Sequence, residues 1–272
     1  MRTPITYYGG KQQLAKTIIG MIPPHRVYCE PYFGGGAVFF SKGKSFCEVI
    51  NDIDDRIITF YEVCQDPVLF WQLQEKIQHT LDSEREFKRA DKIWRNPSSA
   101  KSSVDIAWSV WLQCNMGYGG SPEGGWKWDN ATSGSHSAVV MDNYRNSFTA
   151  AIHERLRFVQ ISCRDALTVI RQRATTDTFF FLDPPYPGCQ QKHYSGFSFD
   201  DLRNLLELLA MVKGKFLLCN YKSSILTEYI REYGWNTKVK DLPLRVANRT
   251  SHGQKRKQEL FVFNYTLQPS LF

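Results

Sequence analysis

The chain has no apolar stretch near the ~20 residues a membrane-spanning helix needs, and Met1-Arg2-Thr3-Pro4 opens no signal-peptide core. A cytoplasmic protein is therefore expected. Its seven cysteines (29, 47, 64, 114, 163, 189 and 219) contain no C-x-x-C pair, and an odd, scattered set points to reduced thiols rather than a disulfide framework. The six histidines form no H-x-x-x-H and sit at no zinc-ligand spacing, so a metal site has no support. No internal repeat or low-complexity tract is visible. Two phosphate-binding fingerprints fail as well. Tyr7-Tyr8-Gly9-Gly10-Lys11 departs from G-x-x-x-x-G-K-[ST] at Ile5 and Gln12, and Gly34-Gly35-Gly36 has Phe39 where a dinucleotide fingerprint needs its last glycine. That break, with no evident hydride-relay histidine, argues against a nicotinamide-dependent dehydrogenase.

What is present fits a globular chain: 42% apolar and 22% charged over 272 residues, enough for one large domain or a domain with an insertion. A net charge of +7 is densest late, at Lys238, Lys240, Arg245, Arg249, Lys255, Arg256 and Lys257, and favours a polyanionic partner without naming it. Strand patterns at 26–32, 46–51, 158–162, 178–183, 215–220 and 259–265 alternate with helical ones at 11–21, 36–44, 54–65, 199–213 and 223–233. Asp200-Asp201 can cap the helix at Leu202. The alternation predicts a doubly wound α/β sheet with parallel strands. From about 62 to 155 it lapses: 66–80, 84–95 and 103–114 read as helices, followed by the glycine-rich Gly117 to Trp128. An insertion carrying recognition, 62–155, is expected between core segments 1–61 and 156–272.

Four motifs carry chemistry. Glu30-Pro31-Tyr32-Phe33-Gly34-Gly35-Gly36 turns tightly after a strand, a way to seat a nucleotide-like cofactor or simply a bare turn. About 20 residues on, Asn51-Asp52-Ile53-Asp54 ends the next strand. Asp52 is placed for ribose hydroxyls, and either acid can instead cap a helix. Lys11, after two glycines, either reaches an anionic group or is a solvated lysine at a helix start. Asp165, after the strand at 158–162, is a helix cap or an acceptor for a purine amino group. The most specific signal is Phe179-Phe180-Phe181-Leu182 running into Asp183-Pro184-Pro185-Tyr186. A strand buried on both faces meets two prolines that cannot donate to the ladder. The chain must leave at the sheet's carboxyl end, where open α/β folds hold ligands. The Asp183 carboxylate and the Pro184 carbonyl can accept from an exocyclic NH2, and Tyr186 offers a face for a planar base.

In this order, Tyr8-Gly9-Gly10-Lys11, Glu30 to Gly36, Asn51 to Asp54 and Asp183 to Tyr186 resemble the Dam-type (D12 class, alpha group) DNA adenine-N6 methyltransferases. Phe197-Ser198-Phe199, Cys219-Asn220-Tyr221 and Arg249 to Phe263 are similar to later segments of that family. The resemblance implies a Rossmann-like methyltransferase sheet with an inserted, mainly helical target-recognition domain. It implies S-adenosyl-L-methionine held by Tyr8, Lys11, Glu30, Phe33, Gly34, Gly36, Asp52 (ribose) and Asp165 (adenine). Asp183, Pro184 and Tyr186 would clamp a flipped target adenine in double-stranded DNA. It further implies a nucleoid-associated cytoplasmic enzyme of a bacterial or phage-infected cell, a monomer or weak dimer, with a restriction endonuclease as an admissible partner. The same chemistry on cytosine-N4, on RNA adenine or on a protein amide, and a catalytically lapsed DNA-binding relative, are the alternatives.

For the DNA face the candidates are Tyr118, Trp126, Lys127, Arg145, Arg155, Arg249, Lys255 and Arg256. Trp126 and Trp128 alternate with Lys127 in a glycine-rich segment, which suits contact with DNA. Trp108 and Trp111 lie on an apolar helical stripe and are expected in the core. The insertion has only a loose counterpart, Asn115 to Gly120, of the family's target-reading segment, so the recognition sequence is not legible.

Overall fold

Seven strands follow in chain order: β1 (Val27–Glu30), β2 (Cys47–Asn51), β3 (Gln160–Ser162), β4 (Thr178–Leu182), β5 (Lys215–Asn220), β6 (Asn236–Pro243) and β7 (Arg256–Phe263). The helices are α1 (Ala15–Ile19), α2 (Ala37–Ser41), α3 (Asp55–Gln65), α4 (Pro67–Gln78), α5 (Glu84–Arg95), α6 (Ser103–Met116), α7 (Ser137–Ser147), α8 (Ala150–Leu156), α9 (Ala166–Arg173), α10 (Phe199–Met211) and α11 (Ser224–Tyr233). This computed structural model describes residues 1–118, 124–129, 136–187, 197–243 and 256–267. The strands form one sheet in the order β3-β2-β1-β4-β5-β7-β6. The α/β sheet expected from the sequence is present, with one correction. β1–β4, β4–β5 and β2–β3 are parallel, but β7 enters antiparallel to both β5 and β6.

The chain forms two compact units. The second holds residues 21–32, 45–47 and 166–272, and with them β1, β4, β5, β7 and β6. All five residues of β4 are buried, as its uninterrupted apolar run requires of a strand covered on both faces. Strand order reverses between β1 and β4, with Cys29 opposite Phe180, and both strands end at the same edge. Such a switch point is where open α/β sheets bind ligands. Glu30 closes β1 there, and Asp183 follows β4. Helix α10 starts at residue 199, as its pattern predicts, but the cap is Ser198 and not Asp200 or Asp201: Ser198 accepts from Asp201 N while the Asp201 carboxylate accepts from Ser198 N (2.7 Å). β6 escaped the sequence reading because Asn-Thr-Lys-Val-Lys-Asp-Leu-Pro has no apolar run. It is an edge strand, its lysines exposed and its end marked by Pro243, both common on edges.

The first unit holds residues 1–20, 33–44 and 48–165. Here α6 packs against α3, α4 and α5. Its Ser102 cap accepts from Asp105 N. Beyond the cap it is buried almost all round, which fits a helix at the centre of a bundle. Trp108 and Trp111 are core residues, as their stripe predicts, and Trp108 Nε1 donates to Thr80 Oγ1 at 2.7 Å. Helices α7 and α8 fill sequence that showed no clear pattern. No helix among the described residues is long and apolar enough to cross a membrane.

Candidate active site

At the carboxyl end of β4, Asp183 is half-buried and Pro184 is buried. The Tyr186 hydroxyl lies 3.1 Å from Asp183 Oδ1 and also contacts Glu259 Oε1. Its ring meets Tyr221 edge-on, centroids 4.5 Å apart. Burial first, then the charges of Asp183, Cys219 and Glu259, pushes the Tyr186 phenol well above its usual pKa, so it stays neutral. Glu259, on β7, is 1% exposed. Asp183, Cys219 and Glu259 bring ligand-type atoms within 4.8 Å of one another. Asn220, at the end of β5, is 2% exposed. Its Oδ1 accepts from Tyr221 N, but its Nδ2 has no acceptor among the described residues. A buried amide donor left so costs about 1–3 kcal/mol unless a ligand supplies the acceptor. In the same unit Glu30, 2% exposed, accepts from Tyr28 OH at 2.7 Å.

In the first unit the glycine turn is tied to the acid that follows β2. Gly34 N donates to Asp52 Oδ2 (2.8 Å), Asp54 N donates to Asp52 Oδ1 (3.0 Å), and Tyr61 OH donates to Gly34 O (2.9 Å). Asp54 is the cap of α3, accepting from Arg56 N, so the two acids divide the roles left open by the sequence: Asp54 caps and Asp52 faces the turn. Burial pushes the Asp52 carboxyl up to about 6, against the backbone N–H groups of Asp54 and Gly34 that pull it down. Lys11 is only 8% exposed and donates to Gly9 O, so it is not a solvated lysine. Tyr8 is half-buried and Asp165 is exposed, just before α9. Asn51 does what no sequence signal announced. Its Oδ1 accepts from Arg164 N (3.0 Å) and Ser162 OH (2.8 Å), and its Nδ2 donates to Arg164 O (2.9 Å). That clasp fixes the turn leading to Asp165.

A family model for D12 class N6 adenine-specific DNA methyltransferases matches residues 7–243. The chain belongs to that family. It is thus a DNA methyltransferase acting on adenine N6, and methyl transfer in such enzymes draws generally on S-adenosylmethionine. Two type II methyltransferases are similar to it along nearly their whole lengths. M1.LlaDCHI of Lactococcus lactis subsp. cremoris is 24% identical over 279 residues, covering 94% of this chain and 93% of its own. M.MjaIII of Methanocaldococcus jannaschii is 24% identical over 293 residues, covering 96% and 98%. Among solved structures, the rRNA methyltransferase aviRa of Streptomyces viridochromogenes matches at TM-score 0.38 and 13% identity, covering 95% of this chain and 86% of that one.

In this methyltransferase the aromatic of the glycine motif is packed in the core. Phe33 is 3% exposed, with Tyr61, Phe39 and Phe40 ring centroids at 4.7, 5.4 and 6.3 Å. Gly36 lies beside it at φ +63°, and a Cβ there would stand 2.5 Å from Phe33 Cζ. Gly36→Ala should therefore cost roughly 2–5 kcal/mol, from left-handed backbone and from overpacking a ring that cannot yield. Denaturant unfolding checks it; a loss under 1 kcal/mol would mean the turn relaxes freely.

The expected DNA-facing residues divide. Tyr118 is exposed, and Trp126 and Lys127 are half-buried. A short antiparallel bridge, Gly117 to Trp126, with Tyr118 N donating to Gly125 O, holds these three together. Arg145 is half-buried, and its guanidinium donates to Thr80 O. Arg155 requires correction. It is 8% exposed, and both its Nη atoms donate to Glu48. Arg249 and Lys255 lie outside the described residues, and Arg256 is placed as the first residue of β7. The sequence reading missed Glu259 and gave Asn220 no role. An acid opening the apolar run Leu260-Phe261-Val262-Phe263 was the available signal.

Proposed function

We propose that this enzyme methylates the N6 amino group of an adenine extruded from double-stranded DNA, with Asp183, Pro184 and Tyr186 as the clamp. The observation carrying this is a carboxylate and a buried carbonyl side by side at the end of β4, with an aromatic ring three residues after the acid. Both oxygens accept from the amino group, which directs the nitrogen lone pair out of the base plane, and Tyr186 stacks on the ring. As the methyl arrives, N6 gains positive charge, and the Asp183 carboxylate stabilises it. S-adenosylmethionine supplies, when bound, a methyl group activated on a sulfonium. The residue types fit such a donor: Gly34 and Gly36 take the left-handed backbone (φ +48° and +63°) that the tight turn after β1 needs, and Asp52 presents a half-buried carboxylate. Asp52 would accept from the ribose, Asp165 from the adenine amino group, and Glu30, Lys11, Tyr8 and Phe33 would line the remainder. The Asn220 amide, at the strand end beside the clamp, suits a ring nitrogen of the target base.

Extruding the base costs a few kcal/mol. The insertion 62–155, through Tyr118, Trp126 and Lys127, and the basic stretch with Arg249, Lys255 and Arg256 would offset it by stacking and phosphate contacts. Because both relatives are type II methyltransferases, we place the chain in a restriction-modification pair with a cognate endonuclease. It would work as a monomer or weak dimer at the nucleoid of a bacterial or phage-infected cell. Expression in a methylation-free host, followed by genome-wide mapping of N6-methyladenine, tests the reading. A modified motif is expected; an unmodified genome overturns it.

Asp52 gives a pH signature. Ribose hydroxyls donate, so the donor binds the ionised carboxylate, and affinity should fall about tenfold per unit once pH drops below about 6. Isothermal titration between pH 5 and 8 reads it, and Asp52→Asn should give a flat profile. For folding the sign is opposite. A carboxyl raised above its unfolded value contributes stability at low pH that is lost as pH rises through about 6.

A further inference from the structure

The Tyr186 hydroxyl stands between two carboxylates, Asp183 and Glu259, and has one proton to give. The phenol does not ionise at working pH, so that proton is always present. With both acids ionised, only one of the two contacts can be a hydrogen bond; the other sets lone pair against lone pair. One additional proton completes the chain, because Asp183 can then donate to the Tyr186 oxygen while Tyr186 donates to Glu259. Methylation of an amino group releases one proton. The three groups are held closely enough for this to matter. Continuing the β5–β7 register places Glu259 opposite Tyr221, whose ring packs on Tyr186, and Glu259 is shielded from water.

We propose that Glu259 is a positioning residue for proton release: acting through the Tyr186 hydroxyl, it makes Asp183 able to take the N6 proton as the methyl group is transferred. This rests on the reading of Asp183 as the amino-group clamp. The balance is closed. The N6–H bond breaks as an O–H forms on Asp183 Oδ1. That proton passes to the Tyr186 oxygen as the phenol's own proton passes to Glu259 Oε1. The adenine ends neutral and methylated, the sulfur ends neutral, Asp183 and Tyr186 return to their starting states, and Glu259 holds one proton. Among the described residues, the titratable and charged groups around Glu259 include Asp183 and Tyr186 after β4, Cys219 at the end of β5, Tyr221 beyond it, and the exposed Lys240 opposite on β6.

The test uses the full chain, tritiated S-adenosylmethionine and phage DNA grown without adenine methylation, under single-turnover conditions from pH 6 to 9. Glu259→Gln and Tyr186→Phe should each slow transfer about 10- to 100-fold, at or below the bottom of the ~10²–10⁴ that a general base supplies, because each acts only through Asp183. The double variant should be no slower than either single one, and all three rates should climb with pH while the wild-type rate stays flat. Cofactor affinity should not change. A wild-type rate in Glu259→Gln overturns the proposal. So do additive losses, or a slowing equal at every pH, which marks a merely structural role. Tyr186→Phe cuts the same chain at the hydroxyl and carries the test should Glu259→Gln fold poorly. If the wild-type chain itself puts no methyl on adenine, the clamp reading fails, and that result is separate from any of these.

Discussion

Asp183→Ala should reduce methyl transfer by about 10³-fold or more while S-adenosylmethionine binds with near wild-type affinity. The magnitude follows from the role proposed for the carboxylate. It meets a charge that exists only while the methyl is in flight, and removing one such preorganised partner costs on the order of 10²–10³. In that proposed role Asp183 also orients the amino group, so alignment is lost together with charge stabilisation. The fold should survive, because the side chain is half-buried and β4 is held by its apolar run and by its pairing with β1 and β5. Tyr186 keeps its contact with Glu259 and so stays in place. The decisive readout is a split: radiolabel incorporation collapses and calorimetric cofactor affinity does not. Incorporation near the wild-type level would remove Asp183 from the chemistry. Loss of cofactor affinity in parallel would show that the substitution had damaged the sheet edge instead.

That prediction could be written from the sequence because its warrant is local. Four apolar residues, two prolines and an acid fix a strand, its end and a side chain at that end, all within eight positions. That Asp52 and Asp54 could cap a helix or face the turn was likewise legible from place relative to β2 and α3, but which of them caps α3 was not. What escaped notice depends on distance along the chain. Glu259 lies 73 residues from Tyr186, and its importance comes from an antiparallel strand inserted between β5 and β6. Asn51 clasps Arg164 across 113 residues. β6 hid because an edge strand needs only alternation, and its outward lysines look like any solvated face. Charge was the least reliable guide. Arg155 was read as a DNA contact from residue type alone, yet it is docked into the protein.

Arg155→Ala should for that reason lower stability by about 3–5 kcal/mol at pH 7, among the largest effects of any single substitution here. Its two Nη atoms donate to Glu48, one at 2.9 Å to Oε1, and Nη2 also donates to Phe39 O at 3.0 Å. The guanidinium carbon lies 3.6 Å from the Phe39 ring centroid. Truncation leaves Glu48, 5% exposed, with Lys42 as its remaining charge partner, and opens a void against Phe39. Burial by itself would push the Glu48 carboxyl up, but the bonds from Arg155 and Lys42 outweigh it and hold the group below its ordinary value. A depressed carboxyl contributes stability that is complete above the unfolded value, near 4.5, and is lost as pH falls through the folded one. The gap between wild type and Arg155→Ala should therefore be widest at neutral pH and narrow below about pH 4.5, where protonating Glu48 removes the stranded charge in the variant and the ion pair in the wild type. Urea unfolding at pH 7 and pH 3.5 measures both gaps. Equal gaps would assign the loss to packing on Phe39, and a loss below 1 kcal/mol at pH 7 would return Arg155 to the surface and to DNA.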